Sequence, residues 1–199
     1  MDRLDAPSLG KAGNYFLMTS ILVPRPIGWL GTRSAEGVDN LAPFSYFMGV
    51  SSEPALVAVS VARGRGGALK DSARNLLANG QGTLSVVSAD LLEAMHQSSA
   101  PYGPQVSEFE AAGLTAVAAD TVEACFVGEA KAAMECRVKD ATDYGATHLF
   151  VLEVLCYRLQ PGLLEGKAVP LERLEPVARL GGSYATLGPQ QTLPRPKVD

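Results

Sequence analysis

Short apolar stretches separated by turns rich in glycine and proline make up most of this 199-residue chain. The run at 55–62 is continuous and rich in valine, which is typical of a strand buried on both faces. Further extended stretches are predicted at 27–33, 38–50, 83–87, 122–127, 130–139 and 147–159. Short strands therefore dominate, and this pattern favours a mainly β fold, a closed or partly closed barrel, over an alternating βαβ sheet.

A few helices are predicted between these strands. Residues 68–79 carry apolar side chains at helical spacing, and Gly80 follows in the position of a C-terminal cap. A second helix is predicted over 90–98, because its first residues have the spacing of a capping box. A third, short helix is predicted within 106–112, ended by Gly113.

The ends of the chain differ from its middle. Residues 1–14 are polar with a proline and a glycine, and they predict a loose N-terminal arm. Residues 15–187 predict one domain, although the chain becomes loop-like from residue 160. Residues 188–199 contain three prolines, and we predict a C-terminal tail that is mobile or lies on a partner.

Pro43 lies inside the extended stretch at 38–50. Proline cannot donate to a central ladder, so we expect the strand to bulge or break at this residue. A broken strand leaves backbone N–H and C=O groups without partners in the sheet. These groups must bond to something else, and a flat polar ligand is one candidate.

Five segments in a characteristic order resemble a known family. They are residues 24–29, 40–47, 70–72 with 75–76, 108–114 and 179–184. On these segments the chain resembles the flavin-reductase-like proteins, which include flavoredoxin and the NAD(P)H:flavin oxidoreductases. The resemblance covers roughly residues 15–187 and implies a split (Greek-key) β-barrel that binds FMN.

The resemblance implies a site for the FMN phosphate at Lys70 and Ser72, where a helix is predicted to start beside a glycine loop. A helix N-terminus, an ammonium group and a hydroxyl could converge there on one anion. The alternative is that Lys70 is a solvated first-turn residue and Ser72 a poor cap. Thr32 and Ser60 are implied phosphate or ribityl contacts, although buried hydroxyls commonly bond to backbone carbonyls instead. Asn75 belongs to the same predicted site.

The isoalloxazine ring is expected to lie against residues 40–46. Backbone N–H groups of Ala42, Phe44 and Ser45 could reach its polar edge and stabilise negative charge on the reduced flavin. Asn40 and Pro43 complete the predicted ring-side set. For the aromatic side chains of this stretch, plain core packing is the alternative.

Several other residues have two interpretations. Trp29 could cover the flavin or belong to the barrel core, and Arg25 could meet a phosphate from outside the barrel. Arg63 and Arg65 could meet the phosphates of a nicotinamide cofactor or be solvated loop charges. His96 could line the substrate side, but neither histidine of the chain has metal-ligand spacing.

Composition excludes several classes of partner. A net charge of −4 with 19% charged residues does not predict binding to nucleic acid or to an anionic membrane surface. No apolar run reaches the roughly 18 residues that a membrane helix needs, and no signal peptide is recognised. The three cysteines lack metal or redox spacing, so we expect reduced core thiols and a cytoplasmic setting.

The predicted function is that of an FMN-binding oxidoreductase. Its reaction would be hydride transfer from NAD(P)H to flavin N5, followed by electron delivery to free flavin or another acceptor. No acid–base side chain is required for a hydride step, and no catalytic residue is predicted. An FMN-binding electron carrier without its own NAD(P)H turnover is the alternative, and a module that has lost its cofactor is a third interpretation.

A homodimer is also predicted. The open side of a split barrel exposes strand edges and apolar surface, and two-fold pairing would bury both. The resemblance implies that the subunit interface helps to build the flavin pocket. The alternative is a monomer in which the C-terminal segment closes the open side of its own barrel.

Overall fold

A computed structural model describes residues 1–196 of the chain, and most of their regular structure is β. The strands are β1 Arg25–Pro26, β2 Gly28–Arg33, β3 Asp39–Phe44, β4 Phe47–Ser52, β5 Ala55–Ala62, β6 Gln81–Val86, β7 Ala116–Ala118, β8 Cys125–Val127, β9 Ala132–Asp143, β10 Thr147–Leu159, β11 Val177–Arg179 and β12 Tyr184–Thr186. The helices are α1 Gly10–Ile21, α2 Asp71–Asn79, α3 Leu92–Gln97, α4 Glu108–Ala111 and α5 Leu171–Leu174. No helix among these residues is long and apolar enough to cross a membrane.

Seven antiparallel strands form the main sheet in the order β3-β2-β6-β9-β10-β5-β4. Its two outer strands, β3 and β4, follow each other directly in the chain, so the sheet must curl until its edges approach. The Ser60 N–H on β5 donates to the Tyr46 carbonyl between β3 and β4, at 2.8 Å. The predicted mainly β barrel with inserted helices is confirmed. The extended stretch predicted at 38–50 divides at residues 45–46 into β3 and β4, which lie at opposite edges of the sheet.

Pro43 lies within β3, opposite Trp29 of β2. The break predicted at Pro43 is therefore wrong, and the strand ends one residue later, at Phe44. β3 is an outer strand of the main sheet and has one strand neighbour there. A proline is tolerated in such a strand when its nitrogen faces away from that neighbour.

A second sheet joins the two ends of the family-like region. Its three strands are ordered β1-β11-β12, with Arg25 opposite Arg179 and Arg179 opposite Tyr184. The segment after residue 160 is thus more regular than predicted, since it supplies α5 and two strands. Residues 188–196 have no regular structure, and residues 197–199 of the predicted tail lie outside the described residues.

The N-terminal arm is helical rather than loose. Residues Ala6–Leu9 form a 3₁₀ turn, and α1 runs on from Gly10 across the predicted end of the arm. Pro7 lies in the first turn, where the missing N–H of proline costs no hydrogen bond. Apolar side chains of α1, including Phe16 and Ile21, are exposed.

The helices differ from their predictions mainly at their starts. Gly80 ends α2 with a φ of 67°, as the sequence predicts for a C-terminal cap. The predicted capping box is not formed, because residues 89–91 form a 3₁₀ turn and α3 begins after it. Asp90 instead accepts a hydrogen bond from the Ser88 hydroxyl at 2.5 Å.

Two apolar cores lie on the two sides of β2, because successive side chains of a strand point to opposite faces. Trp29 packs with Met95 and Phe109 on one side, and Leu30 packs with Leu84 on the other. Trp29 is fully buried, and its Nε1 donates to the Ser98 hydroxyl at 2.9 Å. Of its two interpretations, the barrel core is therefore the correct one.

The three cysteines are free thiols. Cys125 and Cys136 are buried, and burial raises the pKa of both, that of Cys136 to about 12. A raised pKa keeps a thiol protonated and poorly nucleophilic. The prediction of inert core thiols is confirmed for these two residues, whereas Cys156 on β10 is half-buried.

Candidate functional site

A buried network of polar side chains joins β2, β3 and α2. The Asn40 Oδ1 accepts hydrogen bonds from the hydroxyls of Thr32 at 3.2 Å and Ser72 at 3.0 Å. The Asn75 Nδ2 donates to the Thr32 hydroxyl at 3.1 Å. These four predicted site residues come from two distant stretches of the sequence, and the structure brings them together in the interior.

Glu108, at the start of α4, completes this network. Its Oε2 accepts from the Asn40 Nδ2 at 2.8 Å and from the Leu41 N–H at 2.9 Å. Glu108 is 7% exposed and forms no ion pair with any of the described residues. In the sequence, Glu108 lies in one of the matching segments, 108–114, and it is not among the predicted site residues. Its one local signal is the neighbouring Phe109, whose burial fixes α4 against β3.

A cleft of about 340 Å³ opens above this network. Six of the ten predicted residues line it, namely Asn40, Ala42, Pro43, Phe44, Lys70 and Ser72. The remaining lining residues belong to the loop at residues 98–102, together with Gly64, Asp71 and Glu108. A neighbouring cleft of about 460 Å³ is lined by Asn75 and shares Asn40, Asp71 and Glu108 with the first.

The N-terminus of α2 lies at one end of the 340 Å³ cleft. Lys70 occupies the N-cap position with extended backbone and makes no side-chain capping hydrogen bond. The first N–H groups of α2 therefore lack the usual side-chain acceptor. The Lys70 ammonium is exposed, has no carboxylate partner among residues 1–196, and lies 5.9 Å from the centroid of the Phe44 ring. This combination suits an anion.

Ser72 is not a cap, because its hydroxyl donates to Asn40 inside the network. It is only 2% exposed, so it presents little surface to the cleft. Thr32 is fully buried behind Asn40. Ser60 lies on β5, where its hydroxyl is 2.7 Å from that of Thr147, and it is not among the residues that line the cleft. The structure therefore does not bring Ser60 to the other predicted residues.

Backbone donors along β3 alternate in direction, as in any antiparallel strand. The Leu41 N–H points to Glu108, away from β2, so the N–H groups of Ala42 and Phe44 face β2. Pro43 has no N–H. Beyond the end of the strand, the Ser45 N–H donates no hydrogen bond to any residue in the described range 1–196. Of the three predicted backbone donors, the Ser45 N–H is thus the one left free by the sheet.

Arg25 and Arg63, two arginines near the site, bind protein groups. Arg25 is 8% exposed and donates to the carbonyls of Thr19, Leu22 and Leu180, at 2.6–2.8 Å. These hydrogen bonds hold the end of α1 against the second sheet. They leave the Arg25 guanidinium few free N–H groups for a phosphate. Arg63 pairs with Asp143 at 2.7 Å and donates to two loop carbonyls.

The model of the flavin reductase like domain family matches residues 18–181. The chain belongs to this family. An uncharacterized protein of Halalkalibacterium halodurans is 34% identical over 203 residues, covering 98% of this chain and 97% of the relative. Family membership makes the chain a flavin-linked oxidoreductase in general terms.

Solved structures agree with this assignment. Nitrilotriacetate monooxygenase component B from Bacillus cereus is 31% identical, with a TM-score of 0.92 over 97% of this chain and 98% of that one. A protein with a split barrel domain from Shewanella frigidimarina NCIMB 400 is 21% identical, with a TM-score of 0.84 over 98% and 100% of the two chains. The second likeness shows the fold, and the split barrel predicted from the sequence is confirmed.

The residues of the cleft fit the flavin expected in a flavin reductase like domain. One end offers an uncapped helix N-terminus and an unpaired ammonium, which suit a phosphate. The end of β3 offers the flat side of Pro43 to this cleft and the Ser45 N–H to a smaller cleft that adjoins it, and the two groups suit a planar heterocycle with a polar edge. The buried network between them holds both ends in fixed positions.

Proposed function

We propose that the chain binds FMN in the cleft beside β3 and is an NAD(P)H-dependent flavin oxidoreductase. The observation that supports this most is the juxtaposition of Lys70 and the uncapped start of α2 with the free end of β3. When bound, the flavin would supply the redox chemistry, which is hydride transfer from NAD(P)H followed by electron delivery to free flavin or another acceptor.

Lys70 would hold the phosphate together with the first N–H groups of α2. A charge-assisted hydrogen bond contributes about 1.5–3 kcal/mol, more than a neutral one. Ser72 and Asn75 would not contact the phosphate directly, because their side chains are already hydrogen-bonded within the network. They would fix where α2 begins relative to β3.

The ring would lie against Pro43 and the end of β3. The Ser45 N–H would donate to its polar edge, which stabilises negative charge on the reduced ring and so raises its potential. Phe44 is 8% exposed, so most of its side chain serves the core and little of it could contact a ligand.

The experiment is an anaerobic spectral titration of the purified protein. We expect the visible flavin spectrum to be perturbed on addition of FMN, more strongly than with FAD, and then to be bleached by NADH or NADPH. Binding without bleaching would favour the electron carrier over the reductase. The absence of any spectral change with either flavin would contradict both.

The proposal includes a homodimer, and the exposed apolar surface of α1 supports it. Tyr15, Phe16, Met18 and Ile21 are between 44% and 71% exposed along one helix. Such a surface on a small protein is typical of an interaction site, and a second copy would bury it symmetrically. Light scattering should give twice the 20.9 kDa chain mass. The mass of one chain, with flavin still bound, would contradict a shared pocket.

Two further predictions from the sequence stay part of the proposal. The domain predicted over residues 15–187 contains the whole of the family match at 18–181. The cytoplasmic setting agrees with three cysteines that remain unpaired in the fold.

A further inference from the structure

A smaller cleft of about 220 Å³ opens beside the end of β3. It shares Pro43 and Ser99 with the proposed flavin cleft, so the two adjoin. Ser45, the predicted ring contact, lines this smaller cleft and not the 340 Å³ cleft. A molecule bound there would lie next to the ring end of the flavin site, where an electron donor or acceptor must approach.

The positive charge of this cleft comes from one row of the second sheet. Arg25, Arg179 and Tyr184 are directly opposite one another on β1, β11 and β12, and residues in such a row share one face. Two like charges on neighbouring strands repel each other. No carboxylate is present among the described residues that line the cleft.

The two arginines differ in how their guanidinium groups are used. Arg25 donates to three backbone carbonyls at 2.6–2.8 Å, which leaves it little capacity for a ligand. Arg179 makes no side-chain hydrogen bond and no ion pair within residues 1–196. Its guanidinium carbon lies 4.5 Å from the centroid of the Tyr184 ring. Stacking fixes the plane of the Arg179 group while its N–H edge stays available.

The Tyr184 ring, against which Arg179 packs, is held in place by a residue of α3. The Tyr184 hydroxyl lies 3.1 Å from the Nδ1 of His96, at the end of α3, and the two rings meet edge to face. The Arg179 guanidinium therefore packs against an aromatic ring whose position is fixed by its contact with His96. An unpaired arginine held in this way differs from a mobile surface charge.

We propose that Arg179 binds a carboxylate or phosphate group of the molecule that exchanges electrons with the flavin. The planar fork of a guanidinium matches both groups with two parallel hydrogen bonds. The inference rests on the proposed function, because that function places a flavin in the adjoining cleft. The anionic group would belong either to the nicotinamide cofactor, as a phosphate, or to the acceptor, as a carboxylate.

The first test is a calorimetric titration of the flavin-free full chain with pyrophosphate and with benzoate. We expect at least one of these anions to bind, and Arg179→Gln to weaken that binding about ten- to a hundredfold. Arg179→Lys should recover part of the affinity, because it keeps the charge but loses the fork. Arg137→Gln, which removes an exposed charge on β9, is the matched control and should bind like the wild type.

The second test uses the FMN-loaded protein and separates the two sources of the anion. A raised KM for NADH in Arg179→Gln, at unchanged affinity for FMN, would assign the group to the nicotinamide cofactor. Loss of the benzoate-induced change in the flavin spectrum would assign it to a carboxylate acceptor.

Three results would overturn the inference. They are wild-type protein that binds neither anion, Arg179→Gln protein that binds both as the wild type does, and a loss of FMN affinity in Arg179→Gln. If the wild type binds no FMN at all, the proposed function fails, but the calorimetric titration still decides whether the anion site exists.

Discussion

Two buried carboxylates in this molecule have similar hydrogen bonds and different surroundings. Glu108 belongs to the edge cluster, which also contains Thr32, Asn40, Ser72 and Asn75. Glu135 on β9 belongs to the barrel cluster, which also contains Asp120, Thr121 and Arg158. Each carboxylate accepts one backbone N–H, and each is less than 10% exposed.

The difference lies in the cation. Arg158 donates to Glu135 at 2.5 Å and also pairs with the exposed Asp120, so the buried charge of Glu135 has a cation beside it inside the fold. Burial raises the pKa of Glu135, but hydrogen bonds from Thr121 and Arg158 outweigh it and hold the pKa at about 2. Glu108 has no cationic partner among residues 1–196, and it lines two clefts. A self-contained cluster of this kind stabilises the fold, whereas a cluster that opens on a cleft positions groups for a ligand.

The largest expected effect is on stability, from the barrel cluster. Glu135→Ala leaves Arg158 and the Thr121 donors without their acceptor and should lower the free energy of unfolding by about 3 kcal/mol. For a chain of this length the Tm should fall by roughly 6–12 °C. Thermal unfolding of the flavin-free protein measures this. Affinity for FMN should not change, and a loss of both properties would show that the two clusters are not separate.

A matched control for this variant is Glu165→Gln, which removes an exposed carboxylate paired with Arg173. Surface pairs contribute little, so the change should stay within about 0.5 kcal/mol.

Next in size is the effect of Lys70→Ala on flavin binding. Loss of the charge-assisted bond to the phosphate should weaken FMN binding about ten- to a hundredfold, which is about 1.5–3 kcal/mol. The unfolding of the flavin-free protein should be unaffected, because the ammonium is exposed and unpaired among the described residues. Fluorescence titration with FMN measures the affinity. Lys139→Ala on β9 is the control, and equal affinities in all three proteins would remove Lys70 from the site.

The barrel cluster should also make the free energy of unfolding depend on pH in the acidic range. The folded pKa of Glu135 lies near 2, below its ordinary value of 4.5. A depressed carboxyl pKa contributes stability in full above the ordinary value and loses it as the pH falls toward the folded value. The stability difference between the wild type and Glu135→Gln should therefore be constant near neutral pH and shrink from about pH 4.5 to pH 2. Urea unfolding at several pH values measures it, and a difference that grows in acid would contradict the assignment.

The smallest effects concern the end of β3. Ser45→Ala keeps the backbone N–H and loses only a weak contact with Arg25 at 3.4 Å, so FMN affinity should hardly change. Pro43→Val adds an N–H on the free side of the strand and invites regular pairing there, so it should weaken binding more. Parallel FMN titrations compare the two variants. The reverse order would mean that the side chain of Ser45, and not the backbone, makes the contact.

Local sequence patterns predicted the exact bounds of some strands. They failed where the bounds of an element depend on pairing with residues far away in the sequence. β5 and β10 have the predicted bounds, because each is an apolar run closed by turn residues at both ends. The strand predicted at 38–50 divides because β3 and β4 pair with different strands, and nothing in its own residues shows this. α1 was missed because Pro7 and Gly10 are ordinary loop signals that here stand at a helix start.

The site shows the same limit. Lys70, Asn40 and Pro43 were found through short matching segments, and the structure places all three on one cleft. Ser60 belonged to the same predicted site, but β5 places its hydroxyl next to that of Thr147, away from the cleft. Glu108 was missed because an acidic residue in the first turn of a short helix is an ordinary surface pattern. Its partner Asn40 lies 68 positions away, and only the fold brings them together.

Hydrogen–deuterium exchange with and without FMN tests the contrast between the two clusters most directly. Ligand contact and ordering slow amide exchange in the parts of the chain that they stabilise. We expect FMN to protect amides in residues 41–46 and 70–75, and to leave those around Thr121, Glu135 and Arg158 unchanged. Protection at the barrel cluster, or no protection along β3 and the start of α2, would contradict it.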